Sequence, residues 1–390
     1  MIMSNSQINI VITGNFPYPH GFAGTRRVQQ FIDELHNNYA LSVLILRGKP
    51  QLDNNKHLVG LNKGVEYRII GSDINLNWLL IPKIISFLLS GFFFLYSRRK
   101  QSRFNILLHY GQPSIENIWL LITAKLMGYR IVHDIVEDYS LFDCSELHFL
   151  SRIKQWTKKY LCQFIPTISN GIIVISTYLE KKYNKCGKPL IRIPIAAEVS
   201  DDQIHTRNDP LRITYAGTFA AKDGIDVLLK AFQIVRDRYP SCILYLVGGS
   251  KNPLDKCDEN IKCGVEYKGY MDDESFNLFL KESDILCMTR LNSPFANAGF
   301  PFKLGEYLST GNPVVATNVS NIEEYLSNRE DVMLVNPEDI EELSEAILYL
   351  LLNPSTAKDI GVKGREACRK HFNPNKNGKN LRRFLEEILV

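Results

Sequence analysis

Two residues in the segment Asn297–Thr317, NAGFPFKLGEYLSTGNPVVAT, have the types and spacing to handle an anion. Lys303 and Glu306 stand three apart and share one face of a short helix. Leu304 and Leu308 share another face and would pack inward. Pro301 suits the first helical position, where its missing N–H costs nothing. Gly311 suits the left-handed residue that ends a helix, and Pro313 stops continuation. Val314–Ala316 then reads as an interior strand. The loop Ala298-Gly299-Phe300 lets backbone approach a ligand and feeds a helix N-terminus, whose free N–H groups and partial positive charge attract anions. A phosphate there, with Glu306 one turn deeper on ribose hydroxyls, would hold a nucleotide. The alternative is an exposed Lys303–Glu306 ion pair worth ~0.3 kcal/mol.

The elements that must position these residues alternate along the whole chain. In the first half, short apolar runs read as strands at Ile8–Thr13, Leu41–Leu46, Val65–Ile70, Asn105–His109, Arg130–His133 and Gly171–Ile175. In the second they fall at Leu211–Tyr215, Cys242–Val247, Val265–Lys268, Ile285–Met288, Pro313–Ala316 and Val332–Val335. Apolar strands separated by helical patterns predict parallel sheets covered on both faces. Two such series in 390 residues predict two doubly wound domains, 1–198 and 199–372. The boundary is expected within Ile193–Asp209, which holds Pro194 and a polar run from Ser200. Ligands of such sheets bind beyond the carboxyl ends of the strands, so a cleft between facing domains is the expected site. Asn373-Pro374 splits two terminal helices, Pro354–His371 and Asn375–Val390.

Composition narrows the function. Hydrophobic content of 45% and charged content of 23% are ordinary for a globular protein. Residues 1–198 carry 23 Lys/Arg against 13 Asp/Glu, a net +10; residues 199–390 carry 23 against 29, a net −6, giving +4 overall. A basic first half suits an anionic surface. The basic residues are spread and follow no nucleic-acid motif. Residues 1–30 lack a signal-peptide pattern. Eight scattered cysteines without Cys-x-x-Cys fit a reduced, cytoplasmic, structural role and no zinc site. The absence of Gly-x-Gly-x-x-Gly and of a P-loop argues against a dehydrogenase and a P-loop nucleotide hydrolase. Ile84–Tyr96 is a run of thirteen residues flanked by Lys83 and Arg98-Arg99-Lys100. It is too short for the ~20 apolar residues of a spanning helix. We expect a membrane-interface helix near 78–100, on the cytoplasmic face of the membrane, with a buried core helix as the alternative.

The segment Asn297–Thr317 resembles the nucleotide-sugar site of family 4 glycosyltransferases, retaining enzymes of GT-B fold. It is closest to the Pro-x-Lys-x-x-Glu-Tyr-Leu form of their motif. The resemblance implies two Rossmann-like domains facing across a cleft, with the last helix (373–390) crossing back to the first domain. Glu306 matches the second Glu of the family's Glu-x7-Glu motif and is implied in ribose binding; Ala298 replaces the first. In LRITYAGTFAAKDGIDVLLKAF, where a strand runs into a loop at Gly217 and a helix is expected from Asp223, relatives carry an Arg and a Lys that clasp the diphosphate. Thr218 replaces the Arg, Asp223 stands at the Lys position, and Lys222 and Lys303 are the candidates to supply the charge. In INIVITGNFPYPHGFAG, Thr25 is expected to cap a helix, and the resemblance makes Gly24 and Arg26 candidates for an acceptor or phosphate loop. In YRIVHDIVEDY, His133, Glu137 and Asp138 are all candidates for the group near the reacting sugar carbon. Glu137 and Asp138 are favoured because they lie beyond the strand.

The implied function is hexosyl transfer from a nucleotide-diphosphate sugar to an acceptor hydroxyl with retention, in capsule or lipopolysaccharide assembly on a saccharide or lipid-linked acceptor. No cofactor is expected. The chain has no Asp-x-Asp, so no metal is expected either, the diphosphate being neutralised by Lys303, Lys222 and the backbone of Gly299–Phe302. The rival readings are a nucleotide-sugar 2-epimerase on the same fold and a catalytically degenerate binding protein.

Overall fold

The computed structural model describes residues 8–21, 23–46, 57–71, 80–99, 104–112, 114–142, 149–199, 207–249 and 251–389. Residues 78, 79 and 100 of the expected membrane helix lie outside them. Two compact units form: Met1–Pro194 with Pro374–Val390, and Ile195–Asn373.

The first unit is built on strands β1 (Ile8–Gly14), β2 (Ala40–Ile45), β3 (Val59–Asn62), β4 (Val65–Ile69), β5 (Phe104–Tyr110), β6 (Arg130–Ile135), β7 (Gly171–Val174) and β8 (Leu190–Arg192). They lie in the order β3-β4-β2-β1-β5-β6-β7-β8. All neighbours are parallel except the β3–β4 hairpin. That hairpin turns at Lys63 and Gly64, both at positive φ (51° and 77°), as a two-residue turn of the primed type requires. The helices are α1 (Ala23–Leu35), α2 (Leu80–Arg98), α3 (Ile115–Leu126), α4 (Phe149–Leu161), α5 (Ile165–Ile168) and α6 (Thr177–Tyr183). One face of the sheet buries Ile10, Ile12, Ile106 and Leu108 with Phe31 and Ile32 of α1. The other buries Val11, Leu44 and Leu107 with Phe94 and Leu95 of α2 and Leu120 and Leu121 of α3. Strands covered on both faces explain why their sequences are continuously apolar.

The second unit has β9 (Leu211–Gly217), β10 (Cys242–Gly248), β11 (Val265–Gly269), β12 (Ile285–Met288), β13 (Val314–Thr317) and β14 (Met333–Val335). Its helices are α7 (Ile225–Arg238), α8 (Glu259–Lys262), α9 (Asp273–Lys281), α10 (Pro294–Ala298), α11 (Phe302–Thr310), α12 (Ile340–Leu352) and α13 (Pro354–His371). The sheet is wholly parallel, in the order β11-β10-β9-β12-β13-β14. This is the Rossmann order, and its topological switch point lies between β9 and β12. A final helix, α14 (Pro374–Glu387), belongs to the first unit. Its Leu381, Phe384 and Leu385 join the core beneath α1.

The chain passes between units at Pro194, earlier than the expected residue 198. The reason is packing: Ala197 N–H donates to Phe372 O (3.0 Å), and a Cβ on Gly305 would meet Ile195 at 3.0 Å, so both residues are held by the second unit. Among the described residues no helix is long and apolar enough to cross a membrane. The apolar run is α2, half core and half surface. Phe87, Phe94 and Leu95 are buried, whereas Ile85, Leu89, Phe92, Phe93 and Tyr96 are exposed.

Candidate active site

In the second unit the chemistry-bearing residues gather at the switch point. Strand β9 ends at Gly217, and α11 is pinned beside it. Tyr307 Oη accepts from Ala216 N–H (2.7 Å) and donates to Ala216 O (3.2 Å). That fixes Lys303, one turn earlier on α11, over the end of β9. Its ammonium lies 4.1 Å from the centre of the buried Tyr215 ring and hydrogen-bonds the Tyr215 hydroxyl. It is also 3.4 Å from Asp223 Oδ1. Gly217 makes room: a Cβ there would stand 2.7 Å from Lys303 Nζ and 2.8 Å from Tyr215 Oη.

Asp223 does not start a helix. It closes a 3-10 turn, Ala221–Asp223, and Gly224 in the left-handed region (φ 64°) launches α7. The Asp223 carboxylate accepts from Ala220 N–H (3.0 Å), with the exposed Thr218 Oγ1 at 3.5 Å. The turn is tied to the end of β12, where Thr289 Oγ1 donates to Asp223 O (3.0 Å) and Leu291 N–H to Lys222 O (3.0 Å). Lys222 Nζ lies 5.3 Å from the Phe295 ring centre. Arg290, buried just beyond β12, is held by main-chain bonds to Thr317 Oγ1 (2.8 and 2.9 Å).

Lys303 and Lys222 thus lie near one carboxylate, and Arg290 lies near Lys303. Burial opposes ionisation of Asp223, yet Lys303, the Ala220 N–H and Lys222 hold its carboxyl below the usual range. Burial lowers Lys303, with Arg290 and Lys222 adding repulsion and Asp223 resisting. Burial, reinforced by Asp223, raises the Tyr215 phenol well above its normal value. A pocket with surplus positive charge and a lysine destabilised as a cation gains from an incoming anion.

The loop before α11 is partly as expected. Pro301 is the N-cap (φ −74°, ψ 108°) rather than the first helical residue, because its carbonyl accepts from Leu304 N–H (3.2 Å). Gly299 has extended backbone (φ −88°), and Ala298 is fully buried at the end of α10. The Phe300 side chain is not offered to a ligand: it is buried against Tyr325 (5.4 Å) and Phe372 (5.8 Å). Only its main chain is left for a ligand. Glu306 is half-buried on the turn after Lys303 and makes no ion pair with it.

In the first unit the expected catalytic residues diverge. His133 is fully buried, its Nδ1 2.7 Å from Ser169 Oγ and its ring 5.3 Å from that of His109 on the neighbouring strand. Burial, with His109 beside it, drives its pKa far down, so it is a neutral core histidine and not a base for a bound sugar. Asp138 does lie beyond β6, but it is fully buried. It accepts from Lys182 Nζ (2.6 Å), Ser140 N–H (3.0 Å) and Tyr178 Oη (3.3 Å), capping a short 3-10 turn. Glu137 is half-buried, and its carbonyl accepts from Gln112 Nε2 (2.6 Å). Thr25 is not a cap: it lies inside α1 and donates to Pro17 O (2.6 Å). Gly24 is bare because Tyr110 Oη would stand 2.9 Å from a Cβ there. Arg26 is half-buried, while its neighbour Arg27 is fully buried and forks onto Asp134 (2.7 and 2.8 Å).

Tyr215, Arg290 and the Arg27–Asp134 pair are absent from the sequence reading. Each sits inside or just past an apolar strand or within an amphipathic helix, where spacing does not mark it. Gly248 and Gly249, at the end of β10, both have positive φ (101° and 61°), and a Cβ on Gly248 would stand 2.4 Å from Gly217 O.

Two Rossmann-like units, with a cationic pocket at the switch point of the second, define the GT-B class of glycosyltransferase folds. Residues 210–353 match the family described as group 1 glycosyl transferases. An uncharacterized glycosyltransferase of Methanocaldococcus jannaschii is 24% identical over 235 residues, 59% of this chain and 63% of that protein. The amylovoran biosynthesis glycosyltransferase AmsK of Erwinia amylovora is 23% identical over 193 residues, 48% of this chain and 46% of its own length. The chain therefore spans less than two thirds of these curated relatives. Sucrose-phosphate synthase from Thermosynechococcus elongatus superposes with a TM-score of 0.70 at 15% identity, covering 98% of this chain and 99% of that one. Anabaena HepE in complex with UDP-glucose gives 0.70 at 11% identity, covering 97% and 99%.

Proposed function

We propose that this protein transfers a hexosyl group from a nucleotide-diphosphate sugar to an acceptor hydroxyl with retention of configuration. The observation that carries the reading is the cluster at the switch point in which Lys303 pairs with Asp223 and has Lys222 and Arg290 near it, with Glu306 one turn along α11. The diphosphate sits against Lys303, Lys222 and the first N–H groups of α11, and Glu306 takes the ribose hydroxyls. As the sugar–phosphate bond breaks, these cations stabilise the leaving diphosphate without a metal ion. With His133 and Asp138 sequestered, the departing phosphate oxygen takes the acceptor proton, and attack comes from the same face. Uridine is the favoured base, by analogy with the UDP-glucose complex of HepE.

The acceptor is a saccharide or lipid-linked intermediate of envelope polysaccharide, a role supported by the likeness to AmsK of amylovoran biosynthesis. The exposed apolar stripe of α2 supports work at the cytoplasmic face of a membrane. Calorimetry with UDP, GDP, ADP, CMP and their common sugars tests the donor site. One diphosphate should bind selectively, and Glu306→Ala should weaken it roughly tenfold or more, the loss of a charge-assisted hydrogen bond. Unchanged affinity in Glu306→Ala would remove Glu306 from the site. Turnover of donor only when acceptor is present separates transfer from epimerisation.

A further inference from the structure

Along the outer face of α2 runs an open groove of about 560 Å³, lined by Ile85, Leu89, Phe93, Ser86, Ser90 and, from β4, Arg68. Ile85, Leu89, Phe92, Phe93 and Tyr96 follow the i, i+4, i+7, i+8, i+11 spacing of one helical face, and all are exposed. An apolar stripe of this length on a helix already packed into its own core marks an interaction surface. The charge on α2 itself has one sign. Leu80–Arg98 contains Lys83 and Arg98 and no carboxylate. Two guanidinium groups, Arg68 and Arg98, flank the Phe94 ring at 5.8 and 5.4 Å. Glu66, beside them on β4, is paired with Arg98. Among the described residues Arg68 has no carboxylate partner, and its buried Nε has no hydrogen-bond acceptor.

We propose that this groove binds one anionic membrane lipid, its chain against Ile85, Leu89 and Phe93 and its phosphate on the Arg68 guanidinium. The proposal rests on the reading of α2 as membrane-facing and is independent of the donor pocket. A phosphate satisfies an unpaired guanidinium with two parallel charge-assisted bonds. A second copy of this chain docked on the same face would instead bury Arg68 unpaired, which is costly.

The test is flotation of the full chain with phosphatidylglycerol-containing vesicles and with pure phosphatidylcholine vesicles, using wild type, Arg68→Gln and Phe93→Ser. UDP calorimetry on each variant serves as a control. Phe93 is 60% exposed, so its replacement leaves the core intact. Wild type should float with the anionic vesicles. Arg68→Gln should bind them about fivefold more weakly, the ~1 kcal/mol of one basic residue near an anionic surface. Phe93→Ser should weaken both lipids, and UDP affinity should stay unchanged in both variants. Equal flotation of all three proteins would overturn the proposal. So would a preference for anionic lipid that survives in Arg68→Gln, or a dimer abolished by Phe93→Ser with no vesicle binding. Lost UDP binding with normal flotation would count against the donor site alone.

Discussion

Replacing Lys303 by Met separates the two tasks its ammonium performs. One is structural: it neutralises Asp223, which is 9% exposed, across 3.4 Å. Removing one member of a fully buried pair costs about 3–5 kcal/mol. Here the loss is smaller, because Lys303 keeps 18% exposure, and Asp223 retains the Ala220 N–H at 3.0 Å and the field of Lys222. We expect about 1–3 kcal/mol. The other task is to meet the donor diphosphate. A hydrogen bond to a charged group contributes about 1.5–3 kcal/mol, so Lys303→Met should weaken donor binding roughly 10- to 100-fold. The double variant Lys303→Met/Asp223→Asn decides between the tasks. With the stranded carboxylate gone, stability should return toward wild type, while donor affinity should stay as low as in Lys303→Met. Urea denaturation reads the first and calorimetry with UDP or the selected diphosphate the second. If affinity recovers together with stability, Lys303 is only the partner of Asp223. A change of less than about twofold in the single variant would refute the donor assignment directly.

Arg27→Met should destabilise the first unit by about 3–5 kcal/mol, since it strands the fully buried Asp134. It also removes donors to Ile193 O (3.0 Å) and Pro194 O (3.1 Å). Arg26→Met should cost under about 1 kcal/mol, and equal losses in thermal unfolding would contradict the placement of the two arginines. Stability should also depend on pH through the buried histidines. Burial lowers His109 from 6.5 to about 4 and His133 well below 6.5, so the unfolded chain binds protons the native one refuses. Their contribution is complete above pH 6.5 and falls as pH drops toward 4, by on the order of 3 kcal/mol for His109 alone. His109→Gln should flatten the fall in urea midpoint between those values, and an identical slope would count against the neutral pair.

Much of the architecture was open to reading because it rests on patterns that are local. The apolar runs placed twelve strands, since a strand buried on both faces has no polar positions to interrupt it. The two strands overlooked, β3 and β8, are edge strands. The pattern of β3, with Val59 and Leu61 exposed, shows how an edge loses the signal. Gly311 was legible as a helix stop because φ 80° suits a residue without Cβ. The fate of individual charges was not legible. Lys303 and Glu306 share a helical face, yet the lysine turns to Tyr215 and Asp223, some eighty residues away in sequence, as the 80-residue separation to Asp223 records. His133 and Asp138 looked chemically able and proved to be packed and paired.

The sequence by itself determined two Rossmann-like units, the turn before α11 and the amphipathic surface of α2, because backbone conformation and hydrophobic period are written in neighbouring residues. Only the tertiary structure decided which charges remain for a ligand. It placed Lys303 beside Asp223 and Arg290 near Lys303, withdrew Asp138 into Lys182 and Arg27 into Asp134, and, among the described residues, left Arg68 without a carboxylate. A charge's availability depends on its desolvation and its partner, and both are set by residues that only folding brings within a few ångströms.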